Sequence, residues 1–218
     1  GVVVFDGVAG VEPQSETVWH QADRYGVPRV AFVNKMDRAG ASLDATVRSI
    51  RERLGAHPIA VQMPIGAEAD FEGVVDLVHM RAIYFDADGK PLADRTEIPV
   101  EYRAEAAARR EALIEALADV SDEVAMAFLE EAELSADEID AALREATIRG
   151  ATVPVLCGSA LRNMGIVPLL NAVVAYLPSP LDVAPMIGYA PGSDEEIVCQ
   201  PDDHEPLAAL MFKISNDP

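Results

Sequence analysis

The sequence predicts an α/β protein: a parallel sheet with helices on its faces, interrupted by a smaller α+β segment. Three observations carry this. Residues 1–5, 29–33 and 152–157 are short apolar runs without alternation, the pattern of strands buried on both faces. A stretch of helical character separates the first two, which is βαβ grammar and implies parallel pairing. From about residue 58 to residue 150 the grammar changes to short strands followed by several helices.

The elements follow in order. Gly1-Val2-Val3-Val4-Phe5 opens with neither lead-in nor Met, as a chain cut just before a central strand would. A helix over residues 12–25 is marked by Pro13 and the first-turn acids Glu12 and Glu16, and stops at Gly26. Residues 29–33 form the second strand, with Asn34-Lys35-Met36-Asp37 at its carboxyl end. The next helix covers residues 42–54 and ends at Gly55. Residues 59–65, 73–78 and 81–85 are strand-like, and Asp86-Ala87-Asp88-Gly89 is a turn favouring positive φ. Helices are expected over residues 101–118, 122–132 and 136–148, the last opened by the capping-box pair Ser135 and Glu138. Residues 152–157 restore the buried strand, and a helix over 167–177 is ended by Pro178-Ser179-Pro180. Beyond Pro185 the chain reads as an acidic loop. Residues 207–214 read as one more strand, the first of a further β domain, because a single strand cannot bury its own face.

Composition narrows the function. Of 218 residues, 17 are Lys or Arg and 37 are Asp or Glu, a formal charge of −20. Such a chain repels phosphate backbones, which excludes a nucleic-acid clamp. The charge is unevenly placed: residues 1–58 are neutral, residues 59–150 carry −14 and residues 151–218 carry −6. No apolar run approaches the ~18 residues of a membrane helix. Cys157 and Cys199 lie far apart and outside any ligand spacing, so a reducing, cytoplasmic compartment is expected, with no membrane partner.

The sharpest chemical feature is Asn34-Lys35-Met36-Asp37. Ligands of open parallel sheets bind outside the carboxyl ends of strands. A fixed carboxylate such as Asp37 accepts two parallel N–H bonds, and guanine presents that pair on N1 and N2 where adenine does not. Lys35 can lay its aliphatic stem on the ring face with its ammonium in water, and Asn34 can pin the loop. A second loop, Gly158-Ser159-Ala160-Leu161, follows another buried strand, and its Ala160 N–H suits the guanine O6 acceptor. His20, His57, His79 and His204 have no ligand-like spacing, and Trp19 and Cys157 read as core.

Several of these segments together resemble a known family. Val3-Val4-Phe5-Asp6, Val8-Ala9-Gly10-Val11-Glu12-Pro13-Gln14-Ser15-Glu16-Thr17-Val18-Trp19, Gly26-Val27-Pro28 and Asn34-Lys35-Met36-Asp37-Arg38 look like the elongation factor G family of translational GTPases. Gly158-Ser159-Ala160-Leu161 and the stretch from Pro168-Leu169-Leu170 to Tyr176-Leu177-Pro178-Ser179-Pro180 match farther on. The resemblance implies a partial P-loop-type GTPase domain that binds GTP and GDP, with Asn34, Lys35, Asp37, Ser159, Ala160 and Leu161 at the guanine. It also implies the ribosome as partner, and GTP hydrolysis coupled to translocation. The implied domains are 1–58 and 151–184 for the GTPase body, 59–150 for an acidic insertion that could meet a ribosomal stalk protein, and 185–218 for the linker and start of a β-barrel.

The same resemblance sets what to look for elsewhere. The family cradles phosphates with Gly-x-x-x-x-Gly-Lys-Ser/Thr, and the one Gly-Lys pair here, Gly89-Lys90, is followed by Pro91. Asp70-Phe71-Glu72-Gly73 and Asp86-Ala87-Asp88-Gly89 fit the family's Asp-x-x-Gly but lie downstream of Asn34 and read as turns. No catalytic residue and no Mg2+ ligand is therefore assigned, and this chain alone is expected to be inactive. Two other readings are a nucleotide-free module that presents the acidic insertion, and a related translational GTPase such as a release factor or ribosome-protection protein.

Overall fold

The computed structural model describes residues 1–189, 192–202, 204, 205, 209 and 214. Four parallel strands form the main sheet: β1 (Val2–Asp6), β2 (Val30–Asn34), β3 (Pro58–Ala60) and β7 (Val153–Cys157), in the order β1-β2-β7-β3. Helices α1 (Pro13–Arg24) and α2 (Leu43–Leu54) make the crossovers on either side of β2. α2 forms because Ser42 Oγ accepts the Ala45 N–H at its start and Gly55 takes a left-handed φ of 62° at its end. Leu43, Thr46, Ile50 and Leu54 recur at helical spacing and bury one face.

Residues 59–65, expected as one strand, are two strands in two sheets. β3 ends at Ala60 in the main sheet, so that sheet extends past the boundary expected at residue 58. β4 (Gln62–Ile65) starts an antiparallel meander with β5 (Gly73–Asp76) and β6 (Arg81–Tyr84). Leu77 N–H donates to Val61 O across the junction, and Val61 N–H donates to Val155 O. A continuous apolar run carries no mark of such a bend. Helices α3 (Val100–Ala118), α4 (Asp122–Leu129) and α5 (Ala136–Ile148) follow, and α5 carries the expected capping box. α4 stops three residues short of the expected end because Glu131 turns left-handed at φ 54°. Helix α6 (Ile166–Tyr176) closes the series.

The main sheet is buried on both faces where β2 and β7 run. Val30, Phe32 and Leu156 join one core with α3, α5 and α6, while Ala31, Val33, Val155 and Cys157 join the other with Phe5, Trp19 and Ile50. β1 departs from the expected pattern. It is the sheet edge, with Phe5 buried but Val2 43% and Val4 54% exposed. Its uniform apolarity could not reveal that only one face is covered.

The first core does not stop at the sheet. It runs from Val30 and Phe32 through Met63, Val75 and Tyr84 to Leu113, Leu117, Ile139 and Leu143. The segment between β3 and β7, called the insertion below, is thus packed onto the sheet, and Gly1–Leu177 is one compact unit. Pro178–Pro218 is a second unit. Within it, the region expected as loop contains a hairpin of β8 (Met186–Tyr189) and β9 (Glu196–Cys199). Ile187, Ile197 and Val198 are all exposed, so these strands lack the burial alternation that makes strands legible. The strand expected over 207–214 lies outside the described residues, except Ala209 and Ile214.

Candidate functional site

Because β1, β2 and β7 are parallel neighbours, their carboxyl ends lie side by side. Asp6 pairs with Asn34 in register and Val33 with Cys157. Three loops therefore leave the same edge: Asp6-Gly7, Asn34 to Asp37, and Gly158 to Leu161.

Asn34 ties two of these loops together. Its Oδ1 accepts the Lys35 N–H at 2.8 Å and the Ala160 N–H at 2.9 Å. Met36 N–H donates to Gly158 O at 3.0 Å, and Gly158 N–H donates to Val33 O at 2.9 Å. The pinning role expected of Asn34 is the one observed. The Ala160 N–H, expected to meet a base oxygen, is engaged by Asn34 Oδ1 here.

Tight backbone contact fixes the residue types. A Cβ on Gly158 would lie 2.3 Å from Met164 O and 2.8 Å from Phe32 Cζ, so only glycine fits. Lys35 adopts a left-handed φ of 65°, which turns the chain sharply after β2. Its Nζ pairs with Asp6 Oδ2 at 2.6 Å, so the ammonium is anchored while its side chain stays exposed to water. Asp6 in turn accepts the Val8 and Ala9 N–H groups at Oδ1. The Lys35 hydrogen bond, followed by that from Val8, holds the Asp6 carboxyl below its usual range.

Two polar groups lack partners among the described residues. The half-buried Asp37 carboxylate accepts no hydrogen bond from them. Ser159 is 1% exposed and its Oγ is likewise unpaired among them. A buried hydroxyl in that state is costly unless a ligand or a moved neighbour satisfies it. Ala160 and Leu161 lie in a single 3-10 turn, Ala160–Arg162, and Leu161 is 85% exposed.

Residues 1–179 match the model of the elongation factor Tu GTP binding domain. The chain belongs to that family. It is 50% identical over 217 residues to elongation factor G of Thermotoga maritima and 51% identical to that of Thermotoga petrophila. Each comparison covers 100% of this chain and 31% of the relative, so the chain spans about a third of their length. A crystal structure of a protein from Thermus thermophilus superposes with a TM-score of 0.72 at 29% identity, over 83% of this chain and 27% of that one. The resemblance to elongation factor G and the expected α/β GTPase fold are both borne out. Membership of this GTP-binding family implies guanine-nucleotide binding.

Sequence reasoning did not single out Asp6 as the partner of Lys35, although its place at the end of an apolar strand, just before Gly7, was a signal. A Cβ on Gly7 would lie 2.9 Å from Asn34 O, so this loop presses against the other. Among the described residues no cluster of His, Cys, Asp and Glu suits a metal ion, and no helix is long and apolar enough to cross a membrane.

Proposed function

We propose that this chain is the base-recognising part of an elongation factor G-like GTPase, which binds GTP and couples its hydrolysis to translocation on the ribosome. The observation that carries the reading is the pair of unsatisfied groups, Asp37 carboxylate and Ser159 Oγ, on two loops that Asn34 clamps together. Asp37 accepts the N1–H and N2–H of guanine. Lys35, tethered by Asp6, covers one ring face with its stem, and exposed Leu161 offers apolar surface beside it. Ala160 N–H faces the O6 acceptor, and Ser159 Oγ completes the second loop.

The residues present fit the base and not the phosphates. No Gly-x-x-x-x-Gly-Lys-Ser/Thr occurs in the sequence, and the Gly89-Lys90 pair sits in a hairpin turn closed by Gly89 N–H to Asp86 O. Phosphate binding, any Mg2+ and the catalytic groups are assigned to the intact protein, in which GTP supplies the bond that is hydrolysed. This chain alone binds GDP weakly and hydrolyses nothing. The ribosome is the partner, in the cytoplasm, and the acidic insertion is the surface for a basic patch on a ribosomal stalk protein, since its charge of −14 speeds such an encounter.

The test is Asp37→Asn in the intact protein. Xanthine carries an acceptor where guanine carries its N2 amine, so the amide now matches the wrong base. Selectivity should move from GTP toward XTP in competition binding by about 100-fold or more. Unaltered GTP selectivity would overturn the assignment.

A further inference from the structure

We propose that the insertion positions both base loops, with Glu68 as the positioning residue, and so sets how fast guanine nucleotide leaves; this rests on the guanine-pocket reading above. Asp37 has no side-chain anchor among the described residues, so its place depends on the backbone around it. Within the GTPase body that backbone is held by Met36 N–H to Gly158 O, Arg38 N–H to Lys35 O, Ala41 N–H to Arg38 O and Ser42 N–H to Gly7 O. One further bond, Gly40 N–H to Glu68 Oε1 at 2.9 Å, comes from the insertion and adds a side-chain anchor on the far side of Asp37.

Glu68 sits in a rigid turn. It adopts φ 53° between Gly66 and Asp70, where a Cβ on Gly66 would lie 2.0 Å from Asp70 O. Gly66 N–H donates to the Tyr102 hydroxyl on α3, and Glu72 N–H closes the turn on Ile65 O. Phe71, next along, is buried in the same core as Phe5 and Trp19. The carboxylate is therefore delivered to Gly40 by a turn that cannot easily follow the loop if it moves.

The insertion also grips the second loop. Arg162 Nη1 donates to Phe71 O at 3.3 Å. The hairpin tip lies directly on Asn163, since a Cβ on Gly89 would come within 2.4 Å of Asn163 Cβ. Farther along, the Arg109 guanidinium from α3 makes two parallel bonds to Asp44 in the first turn of α2, at 2.7 and 2.8 Å. Both base loops are thus held from one side by a single segment. A force on the insertion is transmitted to both.

The experiment measures dissociation of N-methylanthraniloyl-GDP from the intact protein, with thermal melting of each variant in parallel. Glu68→Ala should raise the dissociation rate about three- to tenfold, the effect of one lost hydrogen bond, without lowering the melting midpoint. Glu68→Gln keeps an oxygen for the Gly40 N–H and should stay within about twofold of the parent. Arg162→Ala, which removes the second loop's part-buried bond to Phe71 O, should also accelerate release. Dissociation unchanged in both alanine variants, or a glutamine variant as fast as alanine, overturns the proposal. Asp37→Asn separates the two readings. If it abolishes GDP binding while Glu68→Ala leaves release unchanged, only the positioning role fails; if it leaves GDP binding intact, the pocket fails and the positioning role with it.

Discussion

At the scale of single residues, the site is built from groups that satisfy one another except at two places. Asn34 saturates its Oδ1 with two N–H donors, and Asp6 takes both Lys35 and two backbone N–H groups. Ser159 Oγ is the buried exception, unpaired among the described residues. An unsatisfied buried hydroxyl costs about 1–3 kcal/mol, so removing it without ligand costs nothing. Ser159→Ala in this chain should therefore melt at the same temperature or slightly higher, while the same change in the intact protein weakens GDP binding. A melting midpoint several degrees lower would show that the hydroxyl already has a structural partner. Gly158 was legible as a turn residue from sequence, whereas the left-handed turn at Lys35 and the Lys35–Asp6 pair were not. Lys35 and Asp6 are 29 positions apart, and only the parallel register of β1 and β2 brings them together.

At the scale of elements, helix boundaries decide where the loops end. α2 starts after the connection that leaves Asp37, and its Ser42 cap fixes where that connection stops. Ser42→Ala should cost about 1 kcal/mol of stability and Ser42→Asp little, by denaturant titration. Equal loss in both would mean that the hydroxyl acts otherwise than as a cap. The Asp44–Arg109 pair then joins α2 to α3. Hydrogen bonding to Arg109, the largest influence, pulls the Asp44 carboxyl below its ordinary value despite partial burial. A depressed folded-state value means that the pair stabilises the fold above the ordinary carboxylate range and is lost as pH falls through the lowered value. Asp44→Asn should therefore flatten the acid limb of the melting profile below about pH 4 and leave a constant deficit near neutrality. An unchanged acid limb would show that solvent screens the pair completely. Such pairs, and the placement of α3 itself, were invisible to periodicity. The sequence marks helices by local caps and apolar spacing, as at Ser42, Ser135 and Gly55, but says nothing about which helix meets which loop.

At the scale of the molecule, charge and packing tell different stories about the insertion. The acidity that distinguishes residues 59–150 lies on their surface, and it suggested a separate body hung on the GTPase sheet. Burial says otherwise, because Leu113, Leu117 and Ile139 share one continuous core with Val30 and Phe32 of β2. A unit with a shared core has no internal plane along which to come apart. Residues Gly1–Leu177 should then unfold in one step. Trp19, the single tryptophan, is buried in the other core, beyond the sheet from α3, to which the insertion contributes Phe71 and Val74 but no buried residue of its helices. Leu117→Ala, at a fully buried site on α3, removes about 2–5 kcal/mol by cavity formation. If the core is one, that loss moves the Trp19 fluorescence transition and the far-ultraviolet circular dichroism transition together in urea. If the insertion were an independent body, Leu117→Ala would split the dichroism curve and leave the Trp19 midpoint where it was. That result would also remove the mechanical basis on which Glu68 and Arg162 hold the base loops.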